Sequence, residues 1–244
     1  MIRPASIGLE ATVFDTASRT HVGKVREINE DRVLMQSEVG LWAIADGMGG
    51  HSLGDQAATI VVRALGSMNR ATPDQLAIGA ALQFANDATL ELAQTAGVTC
   101  GSTVAGICIS NDDCMVFWVG DSRVYRLRGD SLVRLTHDHS FVQQLTDAGV
   151  MTERQARADP RSSIITRALG IAPIFEIDIV WTDVVTGDLF LICSDGLSDM
   201  IDDAGISSLI AHGHPEDMAD RLIRAAMAAG GTDNISVAII ICNG

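Results

Sequence analysis

The chain has 244 residues, 47% of them apolar and 4% aromatic, so it can bury a sizeable core built mainly of aliphatic side chains. Its formal net charge of −14 disfavours nucleic acid and anionic membranes as partners. No apolar run reaches the roughly 18 residues that cross a bilayer, and the N-terminus lacks the apolar block of a secretory signal. The five cysteines form no C-x-x-C pair, so reduced thiols are expected. We therefore expect a cytoplasmic monomer.

Strands and helices are interleaved in the first 100 residues. Residues 1–18 are expected to form a weakly ordered N-terminal lead-in, and residues 19–244 a single domain. Strands are predicted at 32–36 and 41–45, and helices at 52–68 and 74–95. In the second helix, every fourth residue is apolar, which predicts a buried face formed by Leu76, Ala80, Phe84, Ala88 and Leu92.

Closely spaced strands dominate the middle of the chain. Runs at 103–109, 114–119, 124–127 and 132–135 are separated by turns too short for a crossover, so neighbouring strands must be antiparallel. An insert at about 140–170 carries two short helices, near 141–148 and 153–158, and Thr152 with Gln155 fits a capping box.

The last third contains strands at 177–181, 189–194 and 235–242, with helices at about 203–211 and 215–229. The chain as a whole shows no βαβ alternation. This order favours an α+β fold in which antiparallel sheets pack together and helices cover them.

Four aspartates adjoin apolar strands. Asp46 follows residues 41–45, Asp121 follows 117–120, Asp195 follows 191–194, and Asp233 precedes the last strand. A carboxylate at the end of a buried strand is costly unless it is paired, and oxygen ligands of this kind suit Mg²⁺ or Mn²⁺. A single Asp-Gly pair is more often a turn, and the acidic composition also serves solubility, so spacing alone does not prove convergence.

Eight ordered motifs carry a resemblance to a known family. They are R-E-I-N-E-D at 26–31, D-G-M-G-G at 46–50, G-S-T at 101–103, V-G-D-S-R at 119–123, L-T-H-D-H-S at 135–140, T-R-A-L-G at 166–170, S-D-G-L at 194–197 and D-N at 233–234. From about residue 18 onward, the chain resembles the type 2C, metal-dependent protein serine/threonine phosphatases, most of all their compact bacterial branch. The resemblance implies a four-layer α-β-β-α sandwich with two central antiparallel sheets and a metal site at one end.

The resemblance also implies a set of ligands for two or three Mn²⁺ or Mg²⁺ ions. Asp46 would bridge two ions, and the carbonyl of Gly47 would bind one of them. Asp195 and Asp233 would complete the shell of the first ion, and Asp121 with Asp195 would hold a third. The full implied set, in which the last two members act through bound waters, is Asp46, Gly47, Asp195, Asp233, Asp121, Asp31 and Glu30.

The implied catalytic residues are Asp46 and Arg26, and Arg26 would also bind the substrate phosphate. A guanidinium can donate two parallel hydrogen bonds to phosphate oxygens, although an ion pair with a neighbouring glutamate is the simpler role for a lone arginine. Eukaryotic relatives have a histidine where this chain has Met48, and His51 follows three residues later. The general acid is therefore left open. His137 and His139 are expected to have structural roles.

The implied activity is hydrolysis of phosphoserine and phosphothreonine in proteins by attack of a metal-bridging water or hydroxide. Expected partners are phosphorylated proteins, including a cognate serine/threonine kinase and its substrates. Two alternatives stay open: a regulatory phosphatase of one partner protein, and a pseudophosphatase that binds phosphoproteins without turnover. In the family, the 140–170 insert corresponds to a flap beside the metals, so Arg154, Arg157 and Arg161 are expected to contact the protein around the phosphate.

Signatures of rival hydrolases are missing from the sequence. No cysteine has an arginine six residues later, as a cysteine phosphatase requires, and there is no Asp-x-Asp of the haloacid type. C-x-x-C and H-E-x-x-H are also absent, which argues against common zinc sites.

Overall fold

The computed structural model describes residues 13–49, 53–68 and 73–243. Strands in these ranges are β1 (Val13–His21), β2 (Asp31–Gln36), β3 (Leu41–Gly49), β4 (Cys100–Ser102), β5 (Val104–Ser110), β6 (Asp113–Val119), β7 (Arg123–Arg128), β8 (Ser131–Arg134), β9 (Asp178–Asp183), β10 (Leu189–Cys193) and β11 (Ile235–Asn243). Helices are α1 (Leu53–Gly66), α2 (Gln75–Ala96), α3 (Phe141–Asp147), α4 (Glu153–Ala158), α5 (Asp195–Ser198), α6 (Asp203–Ile210) and α7 (Pro215–Ala229). No helix in the described ranges is long and apolar enough to cross a membrane.

The strands form two antiparallel sheets. The first has the order β1-β11-β10-β7-β8, and the second has the order β2-β3-β5-β6-β9 with β4 paired to β3. Each described pair is antiparallel, as the short connections predict.

Alternating side chains divide the apolar residues into three layers. In β3, Trp42 and Ile44 face the other sheet, whereas Ala43 packs toward α1 and α2. In β11, Ile240 belongs to the core between the sheets, and Ile239 packs toward α6 and α7. Because successive residues of a strand point to opposite faces, each sheet is covered on both sides. The predicted four-layer α-β-β-α sandwich is confirmed.

The lead-in predicted over residues 1–18 is wrong from Val13 onward. Residues Val13–His21 form β1, which pairs with β11 along its whole length. β1 lies at the edge of its sheet, and Ala17 is its one buried residue. Such a strand needs few apolar side chains, so its sequence lacks the alternation that reveals a strand. Residues 1–12 lie outside the described ranges.

The apolar face predicted for α2 is also wrong. Leu76 and Phe84 are 83% and 67% exposed. The helix has the expected position, and the side chain of Asp74 caps it by accepting a hydrogen bond from the Ala77 amide at 2.8 Å. The residues that it buries are Ile78, Ala81, Leu82, Ala85, Asn86 and Thr89.

Candidate metal centre

A cleft opens at one end of the sandwich, where strand ends of both sheets meet. β2 and β3 place Asp31 opposite Asp46. Asp121 directly follows the turn after β6, Asp195 begins α5, and Asp233 precedes β11. Residues lining the cleft are Arg26, Glu30, Asp46, Gly47, Met48, Gly49, Thr103, Asp121, Ser163, Ile165, Asp195, Asp233 and Asn234. The structure therefore brings the predicted site residues to one cleft, with Asp31 directly behind it.

Asp46 lies inside β3 and not at its end, because the strand continues to Gly49 by pairing with β4. Thr103 holds its backbone: the Thr103 amide donates to the Asp46 carbonyl at 2.8 Å, and Thr103 Oγ1 accepts from the Asp46 amide at 3.2 Å. Burial raises the pKa of Asp46 well above its ordinary value, and nearby charges raise it further, those of Asp31, Asp195, Asp121 and Asp233. Carboxylates this close need a cation to stay ionised together.

Asp31 and Asp195 each have a buried carboxylate oxygen without a hydrogen-bond partner among the described residues. Oδ2 of Asp31 accepts from Ser194 Oγ at 2.8 Å, but Oδ1 has no partner. Burial raises the pKa of Asp31 to about 6. Oδ1 of Asp195 is likewise unpartnered, and burial followed by the charge of Asp121 raises the pKa of Asp195 well above its ordinary value. Unpaired buried oxygens are costly, so both are suited to a cation.

Asp121 stands beside Asp195 in the same cleft. Burial raises the pKa of Asp121 to about 7, with further contributions from the charges of Asp138 and Asp199. The opposing charge of Arg123 is largely occupied by Asp138, to which its Nη2 donates at 2.5 Å. Asp121 therefore adds a further anion to the cleft.

Arg26 enters the cleft through an ion pair with Asp233. Its Nε donates to Oδ1 at 2.8 Å and its Nη2 to Oδ2 at 2.6 Å. Hydrogen bonding to Asp233 raises the pKa of Arg26, and the Asp195 and Glu30 charges raise it further. The Arg26 side chain is 55% exposed, so it remains accessible to a ligand that enters the cleft.

Asn234 fixes the loop that carries Arg26. Its Oδ1 accepts from the Glu30 amide at 2.7 Å, and its Nδ2 donates to the carbonyls of Val22 at 2.9 Å and Ile28 at 3.0 Å. The amide side chain thus holds both ends of the loop against the turn that contains Asp233. Sequence analysis included Asn234 in a motif but gave it no role.

Gly47 and Glu30 lie together at the base of the cleft. The Gly47 amide donates to the Glu30 carbonyl at 3.2 Å. A Cβ on Gly47 would lie 2.0 Å from the Gly54 carbonyl oxygen, so the close approach of these backbones requires glycine here. Burial raises the pKa of Glu30 above its ordinary value.

The donor chemistry of the cleft fits Mg²⁺ or Mn²⁺. Its candidate ligands are all oxygen atoms, two of them buried and unpartnered, and the carboxylates raise one another's pKa. No group of three His, Cys, Asp or Glu side chains in the described ranges is arranged to hold an ion as it stands. One reason is that the carboxylate of Asp233 accepts two hydrogen bonds from Arg26.

No histidine lines the cleft among the described residues. Met48 does line it and has no proton to donate, and His51 lies outside the described residues. His137 is exposed, with Nε2 2.7 Å from Asp147 Oδ2. His139 is buried next to the turn before Asp121. Sequence analysis expected structural roles for both.

The 140–170 insert contains the two predicted helices and borders the cleft. α4 begins at the predicted capping box, in which Thr152 and Gln155 bond to each other's backbone amides. Beyond α4, Ser163 and Ile165 line the same cleft as Arg26 and Asp233. Sequence analysis missed both, because neither belongs to one of the motifs.

The three arginines of the insert differ in their contacts. Arg157 Nη1 donates to the Ser198 carbonyl at 3.2 Å. Arg161 Nη2 donates to Asp159 at 2.8 Å. Arg154 is exposed. Arg157 therefore holds α4 to α5, the helical turn that begins with Asp195, and Arg161 stabilises the end of α4.

Replacing Arg157 with alanine is expected to lower the free energy of unfolding by about 1 kcal/mol, because one hydrogen bond to a partly buried carbonyl is lost. The matched control is Arg154→Ala, for which a change within about 0.5 kcal/mol is expected at an exposed site. Urea unfolding and limited proteolysis of the insert measure both effects. If the two variants have equal free energies of unfolding and are cleaved at equal rates in the insert, Arg157 does not hold the insert.

A family model for protein phosphatase 2C matches residues 19–228. The serine/threonine protein phosphatase PstP of Mycobacterium tuberculosis is 36% identical over 234 residues, which cover 93% of this chain but 45% of PstP. Protein phosphatase PhpP of Streptococcus pneumoniae is 32% identical over 235 residues, which cover 92% of this chain and 96% of PhpP. This chain therefore spans about half the length of PstP and nearly all of PhpP.

A solved structure of the catalytic domain of PstP, in complex with two manganese ions, is similar to this fold. The TM-score is 0.88 at 32% identity, and the match covers 96% of this chain and 100% of that one. The α-β-β-α sandwich and the acidic cleft agree with the similarities to these phosphatases. The chain belongs to the protein phosphatase 2C family.

Proposed function

We propose that this chain is a Mn²⁺- or Mg²⁺-dependent phosphatase that hydrolyses phosphoserine and phosphothreonine in proteins. The observation that carries the proposal is the set of carboxylates around Asp46, whose charges raise its pKa at one end of the sandwich. So many carboxylates in a partly buried cleft are unfavourable without cations. A phosphate dianion would be repelled by the same charges unless cations were present.

Each candidate ligand has a distinct place in this proposal. Asp46 is central and would contact two ions, with the Gly47 carbonyl beside it. Asp195 and Asp233 would complete the set of ligands around the first ion, and Asp121 with Asp195 would hold a third ion. Glu30 and Asp31 would act through water. Two divalent ions, when bound, supply Lewis acidity that lowers the pKa of water and neutralises phosphate oxygens.

Arg26 is the proposed phosphate-binding residue. Asn234 holds the loop that carries Arg26. The guanidinium of Arg26 donates two parallel hydrogen bonds to Asp233, and the same geometry suits two phosphate oxygens. In the reaction, a water oxygen bonds to phosphorus while the bond from phosphorus to the serine or threonine oxygen breaks. No histidine lines the cleft in the described ranges, so water is the proposed source of the proton for the leaving oxygen.

Phosphorylated proteins are the proposed substrates and partners, among them a serine/threonine kinase and the proteins that it modifies. Relatives named as serine/threonine protein phosphatases support this assignment. Ser163 and Ile165 of the insert line the cleft, where they can contact residues next to the phosphate. We propose a cytoplasmic monomer, in keeping with five free, buried cysteines in the described ranges.

The purified chain is expected to hydrolyse p-nitrophenyl phosphate and phosphothreonine peptides with Mn²⁺ or Mg²⁺, and to lose this activity with EDTA. Restoring Mn²⁺ after chelation should restore the rate, because the carboxylates and not a covalent residue provide the site. The rate of phosphate release measures both effects. Turnover that persists after complete chelation would contradict the metal-dependent mechanism.

The two alternatives differ in their outcomes. A pseudophosphatase would bind phosphopeptides and Mn²⁺ without releasing phosphate. A regulatory phosphatase of one partner would cleave aryl phosphate but discriminate strongly among phosphoproteins. Comparing phosphopeptide binding with phosphate release identifies the first, and phosphoproteomics of a deletion strain identifies the second.

A further inference from the structure

His139 holds the residue before Asp121 at two points. The Gly120 amide donates to Nδ1 of His139 at 3.0 Å, and the His139 amide donates to the Gly120 carbonyl at 2.9 Å. His139 is 7% exposed. Both backbone polar groups of Gly120 are therefore bound by one residue from a distant part of the chain.

Gly120 needs this support because its backbone is unusual. Its φ is +116°, and a Cβ would lie 2.6 Å from the side chain of Thr103, so glycine is required there. Asp121 directly follows Gly120 and is buried. The position from which its side chain extends into the cleft is therefore set by the backbone that His139 holds.

Thr103 holds the other side of Asp121. Its Oγ1 lies 2.9 Å from Oγ of Ser122, and its amide and hydroxyl bind the backbone of Asp46. Asp121 thus lies between residues that are held by His139 and by Thr103, and Thr103 also holds Asp46. The distance between Asp46 and Asp121 therefore depends on both His139 and Thr103.

The hydrogen bonds of His139 define one neutral tautomer. Nδ1 accepts from Gly120, so Nε2 carries the hydrogen. Nε2 lies 3.4 Å from Asp178 Oδ2 and 3.5 Å from Arg167 Nη1, and the ring stacks on Trp118 with centroids 6.1 Å apart. The contact with Asp178 favours this tautomer.

We propose that His139 is a positioning residue for Asp121: its Nδ1 acceptor fixes Gly120 and thereby places the Asp121 carboxylate to hold the third metal ion. The role requires an acceptor at Nδ1 and no change in the charge of the ring. This inference rests on the proposed function, which assigns Asp121 to that ion.

Two substitutions separate the Nδ1 acceptor from the rest of the side chain. His139→Asn keeps an oxygen at nearly the position of Nδ1, whereas His139→Gln places its oxygen about one bond farther out, near Nε2. For the glutamine variant, we expect the weakest Mn²⁺ site to bind about 10–100-fold less tightly, the usual effect of losing a residue that orients a ligand. The asparagine variant should remain within about threefold of the unmodified protein, and Asp121→Asn provides the reference for full loss.

Calorimetric Mn²⁺ titration measures these affinities, and circular dichroism with thermal unfolding shows that each variant is folded. His137→Gln is the matched control, since His137 is exposed and bonds to Asp147 outside the cleft, and no change is expected. At high Mn²⁺ the turnover of the glutamine variant should rise toward that of the unmodified protein. A merely misfolded site would not recover in this way.

Equal affinities for the glutamine variant and the unmodified protein would overturn the inference, as would equal losses for asparagine and glutamine. If the glutamine variant does not fold, the Mn²⁺ affinity of the asparagine variant tests the inference. Near-normal affinity of its weakest site supports the inference, and a large loss of affinity overturns it. Failure of the proposed function is distinct, because the unmodified protein would then show no Mn²⁺-dependent phosphate release in the same experiment.

Discussion

Replacing Asp46 with asparagine is expected to lower phosphate-ester turnover by about 10²–10³-fold or more, the loss typical of removing one main charge-stabilising group. The charges of four other aspartates act on the carboxylate of Asp46. Asparagine has nearly the same shape but no negative charge, so it would hold two cations poorly. Catalysis should therefore fall even when substrate still enters the cleft.

The fold of the Asp46→Asn variant should persist, because the contacts that hold this residue use its backbone. Thr103 binds its amide and carbonyl, and Ser102 Oγ donates to the same carbonyl at 3.1 Å. None of these contacts involves the carboxylate. Circular dichroism should therefore match that of the unmodified chain.

Initial rates at limiting and saturating Mn²⁺, together with calorimetric Mn²⁺ titration, measure the effect. Asp195→Asn should behave similarly, because Asp195 lies in the same cleft and its Oδ1 has no hydrogen-bond partner among the described residues. Asp87→Asn is the matched control, because Asp87 is exposed on α2 and accepts from Gln83 Nε2 at 2.9 Å. A normal rate for Asp46→Asn at limiting Mn²⁺ would remove Asp46 from the metal site.

The positions of strands that are buried on both faces could be predicted from sequence. Edge strands and the buried faces of helices were harder to predict. β3 and β11 are mostly apolar because each faces two cores, and their positions could therefore be predicted to within a few residues. The face of α2 was mispredicted because a strict four-residue step drifts around a helix of 3.6 residues per turn. Its true face also includes polar Asn86 and Thr89.

Those two polar residues are buried because distant or backbone groups satisfy them. Asn86 donates to the Ala172 carbonyl at 3.0 Å and accepts from the Gly170 amide at 2.8 Å. Thr89 donates to the Ala85 carbonyl at 2.8 Å. A hydrophobic pattern cannot indicate such partners, since they come together only when the chain is folded.

The same limit explains which parts of the cleft were missed. The aspartates were recognisable because acidic residues beside apolar strands are unusual and because they belong to ordered motifs. Thr103, Ser194 and Asn234 belong to the same motifs, but no holding role could be assigned to them from sequence. Their partners are 57, 163 and 204 positions away, so the holding role of each becomes visible only in the folded chain.

Removing divalent ions is expected to make the stability of this protein fall as the pH rises from about 4 through about 7, and adding Mn²⁺ should reverse the effect. Burial raises the pKa of Asp31 from 3.8 to about 6 and that of Asp121 to about 7. Asp46 and Asp195 have pKa values raised well above the ordinary value. Without cations, each folded carboxylate holds its proton more tightly than the unfolded chain does.

The sign follows from proton binding. When the folded pKa is raised, the stability that the protonated group contributes is complete below the unfolded value and is lost as the pH rises through the folded value. For Asp31 alone, the shift corresponds to a change on the order of 3 kcal/mol, since one pKa unit is about 1.4 kcal/mol. The buried imidazole of His139 has a lowered pKa and acts in the opposite direction, but only below its ordinary value near 6.5.

Urea unfolding at about pH 4.5, 5.5, 6.5, 7.5 and 8.5, measured in EDTA and again in saturating Mn²⁺, therefore isolates the carboxylates of the cleft, because other titrating groups, including His139, contribute to both series. The unfolding free energy in EDTA should fall progressively further below that in Mn²⁺ along the series. Asp46→Asn supplies the decisive comparison: it should be more stable than the unmodified chain in EDTA at the highest pH, because one buried charge is gone, and less stable in Mn²⁺, because a ligand is gone. The same pH dependence with and without EDTA would mean that these carboxylates do not hold cations.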